Sequence, residues 1–339
     1  MTEENETIIP VEIRYPIVGP GYEHISSGIV KILLLVLGIS ENVGICFMFA
    51  RYKQLRSPSN CLLLHLAIAN LGLCLAVMPI STVTSFYGYW IYGDAGCTYY
   101  GFAGMWFGLA IIGVLTLLGI DRYIVICRAS LALQLKYLHY CFLAVVVWSY
   151  AFLWAIFPVF GWASYGLEPH DTGCGVNWLQ NDASFISYVL SLTAGCFILP
   201  ILIMSFCYWK AKSILYAVSA MNSASTNEDN ISALNADWAN QQEITKLGLA
   251  LVIFFLFAWS PYAVINLWAA FGDPERIPYL LAVLAPLMAK STVVVNPLLV
   301  VMISKKFRSY ARMVVRCESP PGEDLTLEIG GEMQDATLW

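Results

Sequence analysis

The chain has 339 residues, of which 59% are hydrophobic and only 12% are charged. Soluble domains contain roughly 45–50% apolar and about 25% charged residues, so this composition excludes an ordinary soluble domain and predicts a membrane protein. A net charge of −5 leaves no basic face for phosphates, and no nucleic-acid partner is expected.

Residues 1–27 form a polar segment that contains five glutamates. A secretory leader starts with positive charge followed by an apolar run, so no cleaved signal is expected here. The segment includes Asn5-Glu6-Thr7, which is an acceptor sequence for N-glycosylation at Asn5 if this end of the chain faces the lumen.

Seven apolar stretches are each long enough to cross a bilayer, which takes about 20 helical residues. Long uncharged runs favour helices over barrel strands, in which polar and apolar residues alternate. We therefore predict an all-α membrane protein with a seven-transmembrane helix bundle over residues 28–303. The spans are predicted near residues 28–50, 61–86, 97–120, 139–160, 186–209, 247–270 and 279–303.

The cationic residues concentrate in alternate loops. With the N-terminus outside, 14 of the 18 lysines and arginines fall on the cytoplasmic side, and the external loops hold only Arg14 and Arg276. This positive-inside bias predicts an integral multi-pass membrane protein with an extracellular N-terminus. The plasma membrane is its expected location. The same orientation makes Asn5 the expected glycosylation site.

Several polar residues lie within the predicted spans. Lys31 is near the outer boundary of the first span, where its amine is expected to extend to the lipid headgroups. Glu41 lies inside the same span, and the sequence identifies no partner for it. Asn70 in the second span and Asn296 in the seventh are interpreted as groups that form hydrogen bonds between helices.

Two of the ten cysteines lie in an oxidising environment. Cys97 is at the outer end of the third span and Cys174 is in the second external loop, whereas the other eight lie in spans or on the cytoplasmic side. We predict a disulfide between them that holds the loop on the bundle; the alternative is two free thiols. The loop would then carry Glu168 toward a cation in the core, although on its own Glu168 could equally be a solvated loop acid.

The inner end of the third span carries Asp121-Arg122-Tyr123. An acid that holds an adjacent arginine at the cytoplasmic rim is interpreted as a two-state latch, because its opening would present Arg122 to a partner. The alternative is a positive anchor at the membrane boundary.

The polar stretch from about residue 210 to 245 is predicted to be a flexible cytoplasmic loop. Residues 304–316, after the seventh span, are predicted to form a short amphipathic cytoplasmic helix, and residues 317–339 a disordered tail. Cys317 directly follows the helix and is a candidate for palmitoylation.

Lys290 lies about 12 residues into the seventh span, which is about 18 Å of helix rise. An ionisable group at that depth costs about 2.5–3.5 kcal/mol on insertion scales and therefore needs a reason. One interpretation is a structural lysine paired with a buried acid. The other is an amine that forms an imine with a carbonyl ligand, because desolvation favours its nucleophilic neutral form.

Several of these motifs together resemble the rhodopsin-like G-protein-coupled receptors. They are Asn42, Asp121-Arg122-Tyr123, Trp148, Pro200, Tyr208, Phe255, Trp259-Ser260-Pro261-Tyr262 and Asn296-Pro297. A lysine six residues before the Asn-Pro pair is typical of the opsins, and Lys290 has that spacing. Further similarity, as in Ala285-Pro286-Leu287-Met288-Ala289-Lys290-Ser291, is to the peropsin group.

The resemblance implies a photopigment with retinal bound as a Schiff base to Lys290, all-trans in the dark and converted by light to the 11-cis form. Where many vertebrate visual opsins carry the counterion on the third span, this chain has the neutral Tyr100, while Glu168 matches the loop counterion of other opsins. The positions that match the retinal pocket are Tyr100, Gly104, Met105, Gly108, Phe197, Phe255, Trp259, Tyr262 and Ala263.

The resemblance also implies a heterotrimeric G protein and arrestin as partners, with membrane lipid around the bundle. Asp121, Arg122, Tyr123, Asn296 and Pro297 match the G-protein switch. The chain departs from the superfamily pattern at Asn70, Gln241 and Val300, so ligand capture is better supported than signalling. The alternatives are a retinaldehyde photoisomerase or retinoid sensor without productive signalling, and a receptor for a diffusible ligand in which Lys290 is structural. No catalytic residue and no metal site are expected.

Overall fold

The computed structural model of the chain describes residues 22–168, 172–224, 231–273 and 276–316. Asn5 and Cys317, the expected sites of glycosylation and palmitoylation, lie outside the described residues, as does the tail 317–339. Within the described ranges, seven helical spans are long and apolar enough to cross a membrane, which confirms the predicted fold class.

The first four spans are built from five helices. The first span is α1 (Tyr22–Arg51), and the second consists of α2 (Pro58–Ala76) and α3 (Met78–Tyr87). The third span is α4 (Gly93–Cys127), and the fourth is α6 (Tyr137–Ile156). A single helical turn, α5 (Ala129–Ala132), lies between the third and fourth spans. A second set of helices completes the bundle. These are α7 (Ala183–Thr193) and α8 (Leu199–Ala224) in the fifth span, α9 (Ile231–Phe271) in the sixth, α10 (Tyr279–Ile303) in the seventh, and α11 (Lys305–Arg316) after it.

Prolines account for the breaks within the second and fifth spans. Pro79 is in the first turn of α3, where a missing N–H leaves no helical bond unmade. In the fifth span a π-helical turn over Ala194–Ile198 precedes Pro200. A proline cannot donate to the preceding turn, and a local widening of the helix accommodates it.

A short hairpin covers one end of the bundle. Strand β1 (Tyr165–Leu167) pairs antiparallel with β2 (Cys174–Val176), with Leu167 opposite Cys174. Cys174 forms the predicted disulfide with Cys97 on α4, which joins residues 77 apart in sequence. The hairpin is therefore held against the third span, and we call this the hairpin end of the bundle.

Helix α4 lies at the centre and contacts α2, α6, α8, α9 and both strands. Its side chains Ile111, Val114 and Leu115 are almost fully buried. Large apolar side chains of the peripheral helices, such as Phe142 and Phe257, are instead exposed. Lipid tails are as apolar as these side chains, so an outward apolar face is expected for a bundle that spans a bilayer.

A chain of side-chain amides crosses the middle of the bundle. Nδ2 of Asn42 donates to the backbone oxygen of Val293 at 2.7 Å, Nδ2 of Asn70 donates to Oδ1 of Asn42 at 3.2 Å, and Nδ2 of Asn296 donates to Oδ1 of Asn70 at 3.3 Å. The hydrogen bonds expected of Asn70 and Asn296 are therefore present, and they join the first, second and seventh spans.

The prediction of a flexible loop over residues 210–245 is wrong. Helix α8 continues to Ala224 and α9 begins at Ile231, so most of that stretch is helical. Ala211 and Leu215, one turn apart on α8, are buried with Ile126 and pack against Trp238. This small apolar face stabilises helices whose polar composition resembles that of a loop.

The amphipathic helix expected after the seventh span is present as α11. Phe307 is buried with its ring centroid 5.6 Å from that of Phe49, and the ring of Tyr310 lies 4.5 Å from that of Tyr52. Nζ of Lys306 donates to the backbone oxygen of Gln54 at 2.6 Å. The apolar face of α11 is thus fixed against the end of the first span.

Candidate functional site

Two adjacent cavities lie at the hairpin end of the bundle, with empty volumes of about 590 Å³ and about 610 Å³ that include space open to the surroundings. Met105, Trp259 and Tyr262 line both cavities and separate them. The first cavity contains the side chains of Lys290 and Glu168, and the second is bordered by the fifth and sixth spans. Both cavities are largely apolar, and the amine of Lys290 lies in the first.

A third cavity of about 1280 Å³ lies between α1, α10 and the hairpin. It shares Tyr100, Glu168, Pro286 and Lys290 with the first cavity. Lys290 is therefore reached from two sides, which explains why a residue in the middle of α10 is only half-buried.

The amine of Lys290 is held among aromatic and apolar groups. Its Nζ lies 5.7 Å from the ring centroid of Tyr100 on α4. None of the carboxylates in the described part of the chain forms a salt bridge with it. The interpretation of Lys290 as a structural lysine paired with a buried acid therefore has no direct ion pair to support it.

Glu168 follows β1 directly and is only 6% exposed, so it is not a solvated loop acid. Its backbone N–H donates to the oxygen of Gly173 at 2.9 Å, and the hydroxyl of Tyr262 donates to Oε1 at 3.3 Å. A Cβ added to Gly173 or Gly175 would lie 3.0 Å from a carboxylate oxygen. The hairpin thus buries the carboxylate against glycine backbone and aims it into the cavities that contain Lys290.

The structure places all nine sequence-predicted pocket residues on the walls of these two cavities. The first cavity is lined by Tyr100, Gly104, Met105, Trp259 and Tyr262; the second by Met105, Gly108, Phe197, Phe255, Trp259, Tyr262 and Ala263. The rings of Phe255 and Trp259 are stacked with centroids 5.5 Å apart.

Two glycines of α4 leave space for different reasons. A Cβ at Gly104 would meet no atom within 4 Å, so this position opens directly onto the first cavity. A Cβ at Gly108 would lie 2.4 Å from the ring of Trp259, so the absence of a side chain lets that ring approach α4. Both cavities therefore depend on small residues along one face of the third span.

Two buried polar atoms at the first cavity lack a hydrogen-bond partner among the described residues: the hydroxyl oxygen of Tyr100 and Nε1 of Trp259. Buried polar groups are normally hydrogen-bonded, so these atoms are open to a ligand. An elongated apolar molecule with a carbonyl group at one end suits such a site, because an amine, a buried carboxylate and aromatic walls are all present.

Some lining residues were not predicted from the sequence. Tyr165 on β1 lines the first cavity, and its hydroxyl donates to the backbone oxygen of Ala155 at 2.7 Å. Burial raises the pKa of Tyr165 well above its ordinary value, so this hydroxyl remains a donor. The other residues missed at the first cavity are Leu73, Val77, Gly101, Gly175, Val176, Pro286 and Ala289. Apolar residues of this kind give no sequence signal that separates a cavity wall from bundle core.

Lys31 does not extend to the headgroups as expected. It is only 7% exposed, and its Nζ donates to the backbone oxygen of Ser81 at 3.2 Å and to Oγ of Ser85 at 2.6 Å. Its position near the span boundary allowed either direction, and the polar groups of α3 draw the amine inward. Lys31 consequently lines the third cavity together with Lys290 and Glu168.

At the opposite end of the bundle, Arg122 is almost fully buried and pairs with Asp121. Its Nη2 donates to Oγ of Ser59 at 3.0 Å, and its Nη1 donates to Oε1 of Gln241 on α9 at 3.0 Å. The hydroxyl of Tyr140 also donates to Asp121. The third span is therefore tied to the second, fourth and sixth spans through one arginine and one aspartate.

Glu243, the acid two residues beyond Gln241, bonds to Lys305 and not to Arg122. Oε1 of Glu243 accepts from the backbone N–H of Lys305 at 2.6 Å, which caps the start of α11. Tyr123 packs its ring 5.7 Å from that of Phe206 on α8 and does not join the network of Arg122. The neutral amide of Gln241 thus occupies the place at which an acid could have opposed Arg122.

Comparisons with known proteins agree with this arrangement. The sequence profile of the 7 transmembrane receptor (rhodopsin family) matches residues 41–299. The chain is 36% identical over 304 residues to the visual pigment-like receptor peropsin of Homo sapiens, covering 89% of this chain and 88% of that protein. It is 32% identical to parapinopsin of Ictalurus punctatus over 89% of this chain and 84% of that protein. The structure is similar to that of squid rhodopsin, with a TM-score of 0.81 and 28% identity over 95% of this chain and 93% of that chain.

Proposed function

This chain belongs to the rhodopsin family of seven-transmembrane receptors, as an opsin-like member related to peropsin, and on that premise we propose that it is a light-sensitive receptor that holds retinal as a Schiff base on Lys290. The observation that carries this proposal is the amine of Lys290 in a largely apolar cavity whose wall also contains the buried acid Glu168. A diffusible ligand would require no lysine at that position.

Each residue of the site has a separate proposed role. Lys290 supplies the nucleophilic amine for the aldehyde. Glu168 supplies the negative charge that a cation at Lys290 needs in a medium of low dielectric constant. Phe255 and Trp259 offer flat apolar faces, while Gly104 leaves open space and Gly108 lets the ring of Trp259 approach α4. Bound retinal would supply the absorption of light and a double bond that isomerises, which we propose runs from all-trans in the dark to 11-cis.

Trp259 and Tyr262 connect the site to the rest of the receptor. Both lie on α9 and border both cavities, so a change of ligand shape bears on the helix that carries Gln241 at its other end. We propose that this biases α9 between two packings and thereby releases Arg122 to a heterotrimeric G protein. In this account Asp121, Tyr123, Asn296 and Pro297 belong to the switch, and arrestin is a further partner of the same face.

Substitution of Lys290 tests the proposal. Purified protein with added all-trans-retinal is expected to absorb visible light, and Lys290→Ala is expected to lose that absorbance while keeping its melting temperature. Chromatography of the extracted chromophore before and after illumination should show all-trans-retinal replaced by the 11-cis isomer. Visible absorbance that survives in Lys290→Ala would remove the assignment.

Glu168→Gln tests the counterion. The variant is expected to absorb in the near ultraviolet at neutral pH, because the Schiff base loses its proton when the carboxylate is absent. Glu41→Gln is the matched control, since it makes the same change at a glutamate in the first span, one of whose carboxylate oxygens is buried without a hydrogen-bond partner among the described residues. An unchanged spectrum in Glu168→Gln would assign the counterion elsewhere.

A second function is favoured by the neutral contact at Arg122. Gln241 is not an acid. Asn70 and Val300 stand where the receptor superfamily usually has an acid and a tyrosine. These departures favour a retinaldehyde photoisomerase or retinoid sensor without productive G-protein signalling. Light-dependent nucleotide exchange on a purified G protein separates the two. Exchange that never responds while 11-cis-retinal is released would establish the second function.

We also propose a plasma-membrane location with the hairpin end and the N-terminus extracellular. The positive-inside distribution supports this orientation. Asn5→Gln should then abolish an endoglycosidase-sensitive shift in electrophoretic mobility. An Asn5 that carries no glycan, together with an α11 that faces outward, would show that the orientation is the reverse of the one proposed.

A further inference from the structure

The third cavity holds three charged side chains from three different parts of the chain. Lys31 comes from α1, Glu168 from the hairpin and Lys290 from α10. The other titratable groups that face them among the described residues are His24 on α1, Tyr100 on α4, Tyr165 on β1 and Tyr262 on α9. When both amines carry protons, the described residues of the cluster carry two positive charges and one carboxylate, that of Glu168.

Within the described part of the chain, Lys31 donates its hydrogen bonds to neutral groups. Its two hydrogen-bond acceptors are the backbone oxygen of Ser81 and the hydroxyl of Ser85, and the latter donates in turn to the Ser81 oxygen at 2.8 Å. An ammonium has three N–H donors, so one remains for the cavity. Neither acceptor on α3 neutralises the charge of Lys31.

The carboxylate that can balance Lys31 is the one proposed to balance Lys290. Among the described residues, Glu168 supplies the carboxylate of the third cavity, which contains the side chains of both lysines. Glu168 and Lys290 also line the first cavity together. The loop that carries Glu168 is also bonded to α3, the helix whose Ser81 and Ser85 accept from Lys31. Oγ1 of Thr84 on α3 donates to the backbone oxygen of Thr172 at 2.7 Å.

We propose that Lys31 and Lys290 share the carboxylate of Glu168, so that Lys31 is a positioning residue that limits how strongly positive charge is stabilised at Lys290. The inference rests on the proposed function, since the charge concerned is that of the Schiff base. Two like charges in a medium of low dielectric constant oppose each other, and an anion shared between them stabilises each one less. Removal of Lys31 should therefore increase the stabilisation that the Glu168 carboxylate gives to the protonated Schiff base.

The first test is a pH titration of visible absorbance in the retinal-loaded protein. Lys31→Met keeps a long apolar side chain and removes the charge. It is expected to retain visible absorbance to a pH about one unit higher than the parent, since a nearby charge typically shifts such a transition by about 1–3 units. Lys31→Arg keeps the charge and should follow the parent. Lys53→Met makes the same charge change at an exposed position at the opposite end of the first span, and it should also follow the parent.

The second test uses the protein without retinal. The infrared band of the protonated Glu168 carboxyl group can be assigned by its absence in Glu168→Gln. In Lys31→Met this band is expected to appear at a higher pH than in the parent, because one of the two cations that hold the carboxylate ionised has gone. This measurement does not depend on pigment formation.

The outcomes separate the inference from the proposed function. Both titrations unchanged in a Lys31→Met protein of normal melting temperature would overturn the sharing of Glu168. If Lys31→Met does not fold, Lys31→Gln retains a donor for the Ser81 oxygen and answers the same question. If the parent forms no visible pigment, the proposed function fails, while the infrared titration still decides whether Lys31 acts on Glu168.

Discussion

The hydroxyl oxygen of Tyr262 lies 3.3 Å from Oε1 of Glu168, so the sixth span holds the acid that the hairpin carries into the bundle. The two residues are 94 positions apart in the chain. The disulfide between Cys97 and Cys174 fixes the hairpin from the side of the third span. The orientation of Glu168 therefore depends on the third and sixth spans together.

Tyr262→Phe removes the donor and keeps the ring. A hydrogen bond to a charged group contributes about 1.5–3 kcal/mol and withdraws negative charge from the carboxylate. Without it, more negative charge faces the Schiff base, and visible absorption is expected to move to shorter wavelength without loss of the protonated form. Tyr165→Phe is the matched control, because Tyr165 lines the same cavity but bonds to Ala155. Equal shifts in the two variants would show that the bond to Glu168 is not the cause.

The two glycines of α4 predict different tolerances to a methyl group. At Gly108 the methyl would lie 2.4 Å from the ring of Trp259, whereas at Gly104 it would enter open space. Gly108→Ala is therefore expected to destabilise the ligand-free protein by about 1–3 kcal/mol. Gly104→Ala should leave stability unchanged or raise it by up to about 1 kcal/mol through helix propensity. Thermal unfolding of both variants measures the difference, and equal melting temperatures would contradict the account of Trp259.

The contact between Arg122 and Gln241 predicts opposite effects of two substitutions. Gln241→Glu converts a neutral acceptor into a charged one, which strengthens the bond by about 1 kcal/mol or more and should lower basal nucleotide exchange several-fold. Gln241→Ala should raise it. Asn240→Ala, at the exposed neighbouring position, is the control. If light still stimulates exchange but neither Gln241 variant alters the basal rate, this contact does not restrain the receptor.

Asp182 predicts a pH dependence at the hairpin end. Its Oδ1 accepts from the N–H of Phe185 at 2.8 Å, which caps α7 and lowers the pKa of Asp182 from its ordinary value of 3.8. Because the pKa is lower in the folded state, the stabilisation is present above pH 3.8 and is lost as pH falls through the lowered value. Asp182→Ala should lower the melting temperature at neutral pH, and the difference should disappear in acid. Asp182→Asn still caps the helix and should show little of this pH dependence.

The fold was largely predictable because a bilayer imposes a simple requirement. Seven long apolar stretches match the seven spans, and sorting cysteines by compartment identified the bond between Cys97 and Cys174. The extent of α8 and α9 was not predictable, because their ends are polar and are stabilised by a small apolar face that includes Ala211 and Leu215. Composition alone cannot separate such a helix from a loop.

The site was predictable where a residue was unusual for its surroundings. A lysine deep in the seventh span drew attention by its charge, and the resemblance supplied Glu168. The inward turn of Lys31 was not predictable, because depth in a span does not specify which face of the helix a residue occupies. The bond between Tyr262 and Glu168 joins distant segments and likewise left no local pattern.

Reduction of the dark pigment with borohydride, followed by mass spectrometry of its peptides, tests the central claim most directly. The account predicts one retinyl group, attached to the peptide that contains Lys290. A label on Lys31 or any other residue, or no label in a protein that has bound retinal, would contradict it.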